Sequence, residues 1–202
     1  MDNMGSGLTH MLQEVDDFLM GESKVHRTLS RVTRLLDELA IDFALAGGLA
    51  VGLRGHLRLT VDVDLLITAE RLKRFKDCWL GRGYAEKFPG SKGLRDTETG
   101  VTIGFLIAGE FPGDGRPKPI SFPDPASVPQ ADTPYRLLDL RTLIELKLAS
   151  GLSAPDRLLD LADVLALIRA NGLAEAFASS LDPSVREKYL ELWRAAQISS
   201  DY

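Results

Sequence analysis

Among its 202 residues the chain has one cysteine, Cys78, two tryptophans and three histidines. A single cysteine cannot close an internal disulfide, so the fold has to rest on a packed core. His10, His26 and His56 are scattered without the spacing of metal ligands and are assigned to surface or packing roles. Long apolar runs are also missing. The best candidate, over 41–53, is short and interrupted by glycine, well below the roughly eighteen residues of a membrane span. Met1 to Ser6 has neither the basic cluster nor the apolar stretch of a secretion signal. Together these absences predict a cytoplasmic protein with no membrane association. There is no basic surplus either: 24 Lys and Arg stand against 29 Asp and Glu, a net charge of -5. Any nucleic-acid partner would therefore need a local basic patch.

What is present suits a soluble globular chain, with 45% hydrophobic and 26% charged residues. Apolar residues at helical spacing predict amphipathic helices over 8–20 and 24–40. A first strand is expected over 41–46, ending at Gly47-Gly48 and followed by a short helix that stops near Gly55. A second strand over 61–67 leads to Thr68 as N-cap and a helix through Leu80. Between Tyr84 and Pro134 the chain is rich in Gly and Pro, with β-like runs over 101–107 and 119–122, expected to extend the same sheet. Leucine, alanine and charge then dominate, predicting helices over 138–150 and 155–170, the latter capped by Ser153, and a final helix opened by Asp182 and running to about Gln197. The expected layout is an α/β (α+β) unit over 1–134 and a helical unit over 135–202.

Asp62 and Asp64 alternate with Val61, Val63 and Leu65, so on a strand both carboxylates leave the same face, roughly 7 Å apart at Cα. Two such acids suit Mg²⁺ (or Mn²⁺), which keeps waters and is completed by substrate phosphates. Phosphoryl or nucleotidyl transfer uses that arrangement. Gly47 and Gly48 lack Cβ atoms, so a triphosphate can approach the backbone N–H groups at the start of the helix they open. Lys147 falls among Leu140, Leu143, Ile144 and Gly151 on a helical wheel, where an ammonium must reach solvent or find a partner. Asp156, Asp160 and Asp163 share a stripe opposite Leu158, Leu161 and Leu165, the pattern of a solvated helix face. Asp156 is assigned to solvent, while Asp160 and Asp163 are kept as candidates. Arg54 and Arg58 precede the acidic strand and could touch a triphosphate or RNA. Arg116 and Lys118 lie in the 109–118 loop, assigned as a plain connection.

The order Gly47-Gly48, then Arg58-Leu59-Thr60-Val61-Asp62-Val63-Asp64, closely resembles the signature of the nucleotidyltransferase superfamily, with its DNA-polymerase-β-type fold. The Arg-x-Thr-x-Asp-x-Asp form is similar to the minimal nucleotidyltransferases and AbiEii-like abortive-infection toxins. The resemblance implies a mixed β-sheet with flanking helices followed by a helical part. It also implies metal ligation by Asp62 and Asp64, and nucleotide contacts from Gly47, Gly48, Arg58, Thr60 and Lys147. Asp62, Asp64, Lys147 and Asp160 are implied as catalytic residues, acting on a nucleoside triphosphate. Its implied acceptor is a tRNA end, a protein side chain or a small molecule, and its toxin branch implies an antitoxin partner.

Many members of that superfamily carry a third carboxylate on a later strand. The corresponding strand here, over 101–106, has none and places Gly104 near that position. Losing a general base removes on the order of 10²–10⁴ in rate, so a substitute is expected either from Glu98 or Glu110, which flank the strand, or from Asp160 or Asp163 in the helical part. The alternative is a catalytically degenerate module of the same fold that binds a nucleotide or a partner protein.

Overall fold

The computed structural model describes residues 15, 17, 18, 22–129, 133 and 135–198. Of the helix expected over 8–20, only residues 15, 17 and 18 fall among these, and they are helical. The first complete helix, α1 (Lys24–Glu38), is capped by the Ser23 hydroxyl, which accepts from the His26 N–H, and buries Leu29, Val32, Leu35 and Leu36. It ends two residues before the expected boundary. Ala40 takes a left-handed φ of 49° and the Ile41 N–H turns back to the Leu36 carbonyl. That turn also shortens the first strand, so β1 is only Ala44–Leu45.

β1 runs into α2 (Gly47–Leu53), whose first two residues are the glycine pair. Next come β2 (Asp62–Ile67) and α3 (Ala69–Trp79), the latter capped by Thr68 as expected. A hairpin, β3 (Tyr84–Glu86) and β4 (Leu94–Asp96), precedes β5 (Thr102–Ile107). The five strands form one mixed sheet in the order β1-β2-β5-β4-β3. β2 and β5 are parallel and central, and the other pairs are antiparallel. Val63, Leu65, Leu66, Ile67 and Ile103 are fully buried, as inner strands of a covered sheet require. The β-like run expected over 119–122 is not a strand. Pro117, Pro119 and Pro123 remove backbone donors there, and only Phe122 pairs, exchanging bonds with Gly109 and Glu110.

The helical part comprises α4 (Leu140–Gly151), α5 (Leu158–Ala170) and α6 (Pro183–Gln197). Asp139 caps α4 and Asp182 caps α6. Ser153 does not cap α5, which starts at Leu158 with no side-chain cap. Its hydroxyl instead donates to the Ser150 carbonyl and accepts from the Asp114 N–H, tying the 109–118 loop to the α4–α5 turn. The chain also returns to the sheet edge before α4: Leu137 bridges Leu45, and the Leu45 N–H donates to the Arg136 carbonyl. That contact brings α4 over the C-terminal end of β1.

Candidate active site

The stretch entering β2 has reversed polarity. Arg58 and Thr60 turn inward, while Leu57, Leu59 and Val61 are exposed, Val61 at 83%. Asp62 and Asp64 continue the inward row. The Thr60 hydroxyl donates to Asp62 Oδ1 at 2.7 Å. Among the described residues no hydrogen bond and no ion pair reaches the Asp64 carboxyl, which sits between two glycines. The Ala46 N–H donates to the Asp64 carbonyl at 3.0 Å, so the turn at Gly47 is drawn against β2. A Cβ on Gly47 would stand 2.0 Å from Asp64 Oδ2, and the φ of +60° at Gly47 strains any other residue. On the other side, register pairs Asp64 with Gly104, where a Cβ would stand 2.3 Å from Asp64 Oδ1. Asp64 thus occupies the space a side chain at 104 would need. Burial, and next the charge of Asp62, push the Asp64 carboxyl from 3.8 up to about 6, against the pull of Lys147 and Arg58.

Facing this pair is a chain of charges carried by the helices. Lys147, from α4, is 11% exposed and places Nζ 2.7 Å from both Asp160 Oδ1 and Asp163 Oδ2. Asp163 is 1% exposed and also accepts both forks of Arg58, at 2.7 and 3.0 Å. Asp160 further accepts from Ser150 Oγ at 2.6 Å and lies 3.6 Å from Arg157. Burial raises the Asp160 carboxyl, but Lys147, the Ser150 hydroxyl and Arg157 outweigh it and hold the group below the ordinary carboxylate range. Arg58 comes from the sheet side and Lys147 from the helical side, so Asp163 ties the two walls of the cleft together.

Two chambers meet at the acid pair. One, of about 530 Å³, is bordered by Gly47, Gly48, Arg58, Thr60 and Arg157. The other, of about 570 Å³, lies against β5, α4 and the 109–115 segment. Asp62, Asp64, Lys147 and Asp160 line both.

No protein-family model matches this chain, and no curated protein does. Among solved structures it is similar to a crystal structure of ANT(2″)-Ia in complex with adenylyl-2″-tobramycin. That match has 15% identity and a TM-score of 0.49, covering 85% of this chain and 98% of that one. A solution structure of the antibiotic-resistance factor ANT(2″)-Ia gives 15% identity and a TM-score of 0.47, covering 83% and 89%. At that distance the likeness decides nothing about chemistry, which has to come from the residues themselves.

Gly47, Gly48, Arg58, Thr60, Asp62, Asp64, Lys147 and Asp160 all gather at one cleft, although they are spread between positions 47 and 160 of the sequence. Arg54 does not join them. Its guanidinium donates to the Leu138 carbonyl at 2.6 and 2.9 Å and to that of Leu137 at 3.3 Å, fastening α2 to the start of α4. Lys118 folds onto its own loop, donating to the Pro112 carbonyl and Asp114. The solvated-face pattern of α5 is overturned: Asp163 is buried while Leu158 and Leu159 are exposed, and only Asp156 faces solvent as expected. Ser150 is a participant that sequence reasoning missed, since a serine near a helix end gives no signal of its own. Among the described residues no three His, Cys, Asp or Glu side chains converge as a ready-made metal shell.

Proposed function

We propose that this protein is a Mg²⁺-dependent nucleotidyltransferase that passes a nucleoside monophosphate from an NTP to a hydroxyl of a small acceptor. The observation that carries this is the position of Asp62 and Asp64 as the common wall of two chambers, each of a size suited to a small molecule. The two acids fit a hard divalent cation. They are like charges on one strand face with no cationic partner within ion-pair distance among the described residues, and burial and mutual repulsion raise Asp64. When bound there, completed by water and phosphate oxygens, Mg²⁺ or Mn²⁺ neutralises charge developing on the transferred group.

The chain's own residues take the remaining roles. Gly47 and Gly48 leave backbone open to the triphosphate, Thr60 orients Asp62, and Arg58 and Lys147 offer cations from opposite walls. The acceptor hydroxyl attacks the α-phosphorus, the bond to the bridging oxygen breaks, and pyrophosphate leaves with the electron pair. Asp160, which lines both chambers along with Asp64, takes the acceptor's proton in place of the carboxylate that position 104 lacks. As Lys147 turns to phosphate it releases Asp160, whose basicity then rises.

The test is transfer of label from each α-labelled NTP, with Mg²⁺, to a small-molecule or total RNA extract, compared with Asp62→Ala/Asp64→Ala. Label transfer that the double variant loses supports the enzyme; no transfer under any condition contradicts it. A small acceptor is preferred to the tRNA or protein acceptors that the AbiEii-like resemblance adds, because Lys92 and Lys118, at the rim of the second chamber, are paired with Glu110 and Asp114. A toxin role with an antitoxin partner predicts growth arrest on expression that the same double variant relieves. Gly104 favours one second reading, a degenerate module, which predicts Mg²⁺-dependent NTP binding without transfer to any acceptor.

A further inference from the structure

The second chamber has two unlike walls. One carries the chemistry: Asp64, Lys147, Ser150 and Asp160. An apolar wall adjoins it, made by Leu106, which leaves the same sheet face as Asp64 one register step further along β5, and by Phe111 and Phe122 at the two ends of the 109–122 excursion, all three half-buried with surface left for a ligand. Phe122 is fixed by backbone exchange with Gly109 and Glu110, and packs with Leu106 against the core. Phe111, also from that loop, is not among the side chains packed against that core.

The rim separates ligand classes. Lys92 pairs with Glu110 at 2.5 Å and Lys118 with Asp114 at 2.6 Å, so basic and acidic groups there neutralise one another. An RNA end needs cations free to replace the counterions of its phosphates. A polycation needs free carboxylates, and those this chamber has, Asp62 and Asp64, are the ones that would hold the metal. Neither finds them at this rim, whereas an uncharged molecule displaces little and covers Leu106, Phe111 and Phe122.

We infer that this chamber takes a small uncharged alcohol with an aromatic or alicyclic body, its apolar face on Leu106, Phe111 and Phe122 and its hydroxyl toward Asp160 and Asp64. As the acceptor, this inference rests on the transfer reaction proposed above. In that step the alcohol's oxygen forms the new bond to the α-phosphorus, pyrophosphate departs, and the hydroxyl proton passes to Asp160. The product is a phosphodiester of the alcohol and the nucleoside.

The test uses the full chain and 2-(2-naphthyl)ethanol, whose binding is followed by calorimetric titration. Saturable binding is expected. Phe111→Ser should weaken it by about tenfold, the loss of one ring face from water-free contact, and Phe111→Leu should restore most of it. Mg²⁺-NTP binding should be the same in all three proteins, which shows that the fold and the first chamber are intact. Asp62→Ala/Asp64→Ala should still bind the naphthyl alcohol while transferring no label to it. Absence of saturable binding, or binding indifferent to Phe111→Ser, overturns the assignment. Label appearing on a polyamine or a short RNA but not on the naphthyl alcohol overturns it too. Phe111-sensitive binding without any label transfer would leave the chamber's ligand class standing and refute the transfer reaction instead.

Discussion

Asp64 lies between Gly47 and Gly104, with room for its carboxyl and little else. Its raised pKa has a definite consequence for stability. The folded state binds this proton more tightly than the unfolded chain, so the favourable contribution is complete below the ordinary value of 3.8 and is lost as pH rises through about 6. Two units correspond to roughly 2–3 kcal/mol. Asp64→Asn is therefore expected to be more stable than the native protein at pH 7.5 by about 1–3 kcal/mol, with the gap closing toward pH 4, as read by urea unfolding across that range. A gap that widens on acidification would contradict the burial argument. Gly104→Ala acts in the same space: its Cβ arrives 2.3 Å from Asp64 Oδ1, and because that atom is the end of a rotatable side chain the fold should survive. Transfer should fall by at least about tenfold while the melting temperature moves by only a few degrees. The glycine pair and the Asp-x-Asp were legible in sequence because alternation puts both acids on one strand face. The use of Gly104 was not, since it depends on the parallel register between β2 and β5, which no local pattern encodes.

α5 shows what the periodicity of one helix can hide. Its apolar and acidic residues look like a core stripe and a solvated stripe, yet Leu158 and Leu159 are exposed and Asp163 is buried. The inversion follows from partners on other elements: Arg58 precedes β2 and Lys147 lies on α4, and Asp163 is the anion both require. Removing it takes the carboxylate from the partly buried Arg58 and leaves Lys147 with Asp160 alone. Asp163→Ala is expected to cost about 3–5 kcal/mol in denaturant unfolding. Asp163→Asn, which keeps the shape, should fold better than the alanine variant yet raise KM for the NTP more than it lowers kcat, since Arg58 and Lys147 lose a shared tether. A loss of kcat alone would assign Asp163 to the chemical step instead. Elements with strong periodicity, such as α1, and with side-chain caps, such as α3 and α6, matched expectation to within a residue or two at most ends. β3 and β4 were not singled out because three-residue strands carry too little alternation to register.

For the molecule as a whole, the cleft places Asp62, Asp64, Asp160 and Asp163 against Arg58, Lys147 and Arg157, an excess of carboxylate in a chain whose net charge is already -5. A bare triphosphate entering that field is repelled, and the divalent cation proposed to be held by Asp62 and Asp64 would reverse the balance. Such a cation would have to displace a proton from Asp64, so its apparent affinity should fall as pH drops below about 6. The most direct measurement is calorimetric titration of each NTP into the protein with and without Mg²⁺, repeated on Asp62→Ala/Asp64→Ala. Nucleotide binding that appears only with Mg²⁺ and disappears in the double variant is the predicted result. Binding that needs no metal, or that is indifferent to the loss of both acids, would contradict the assignment of this pair as the nucleotide centre.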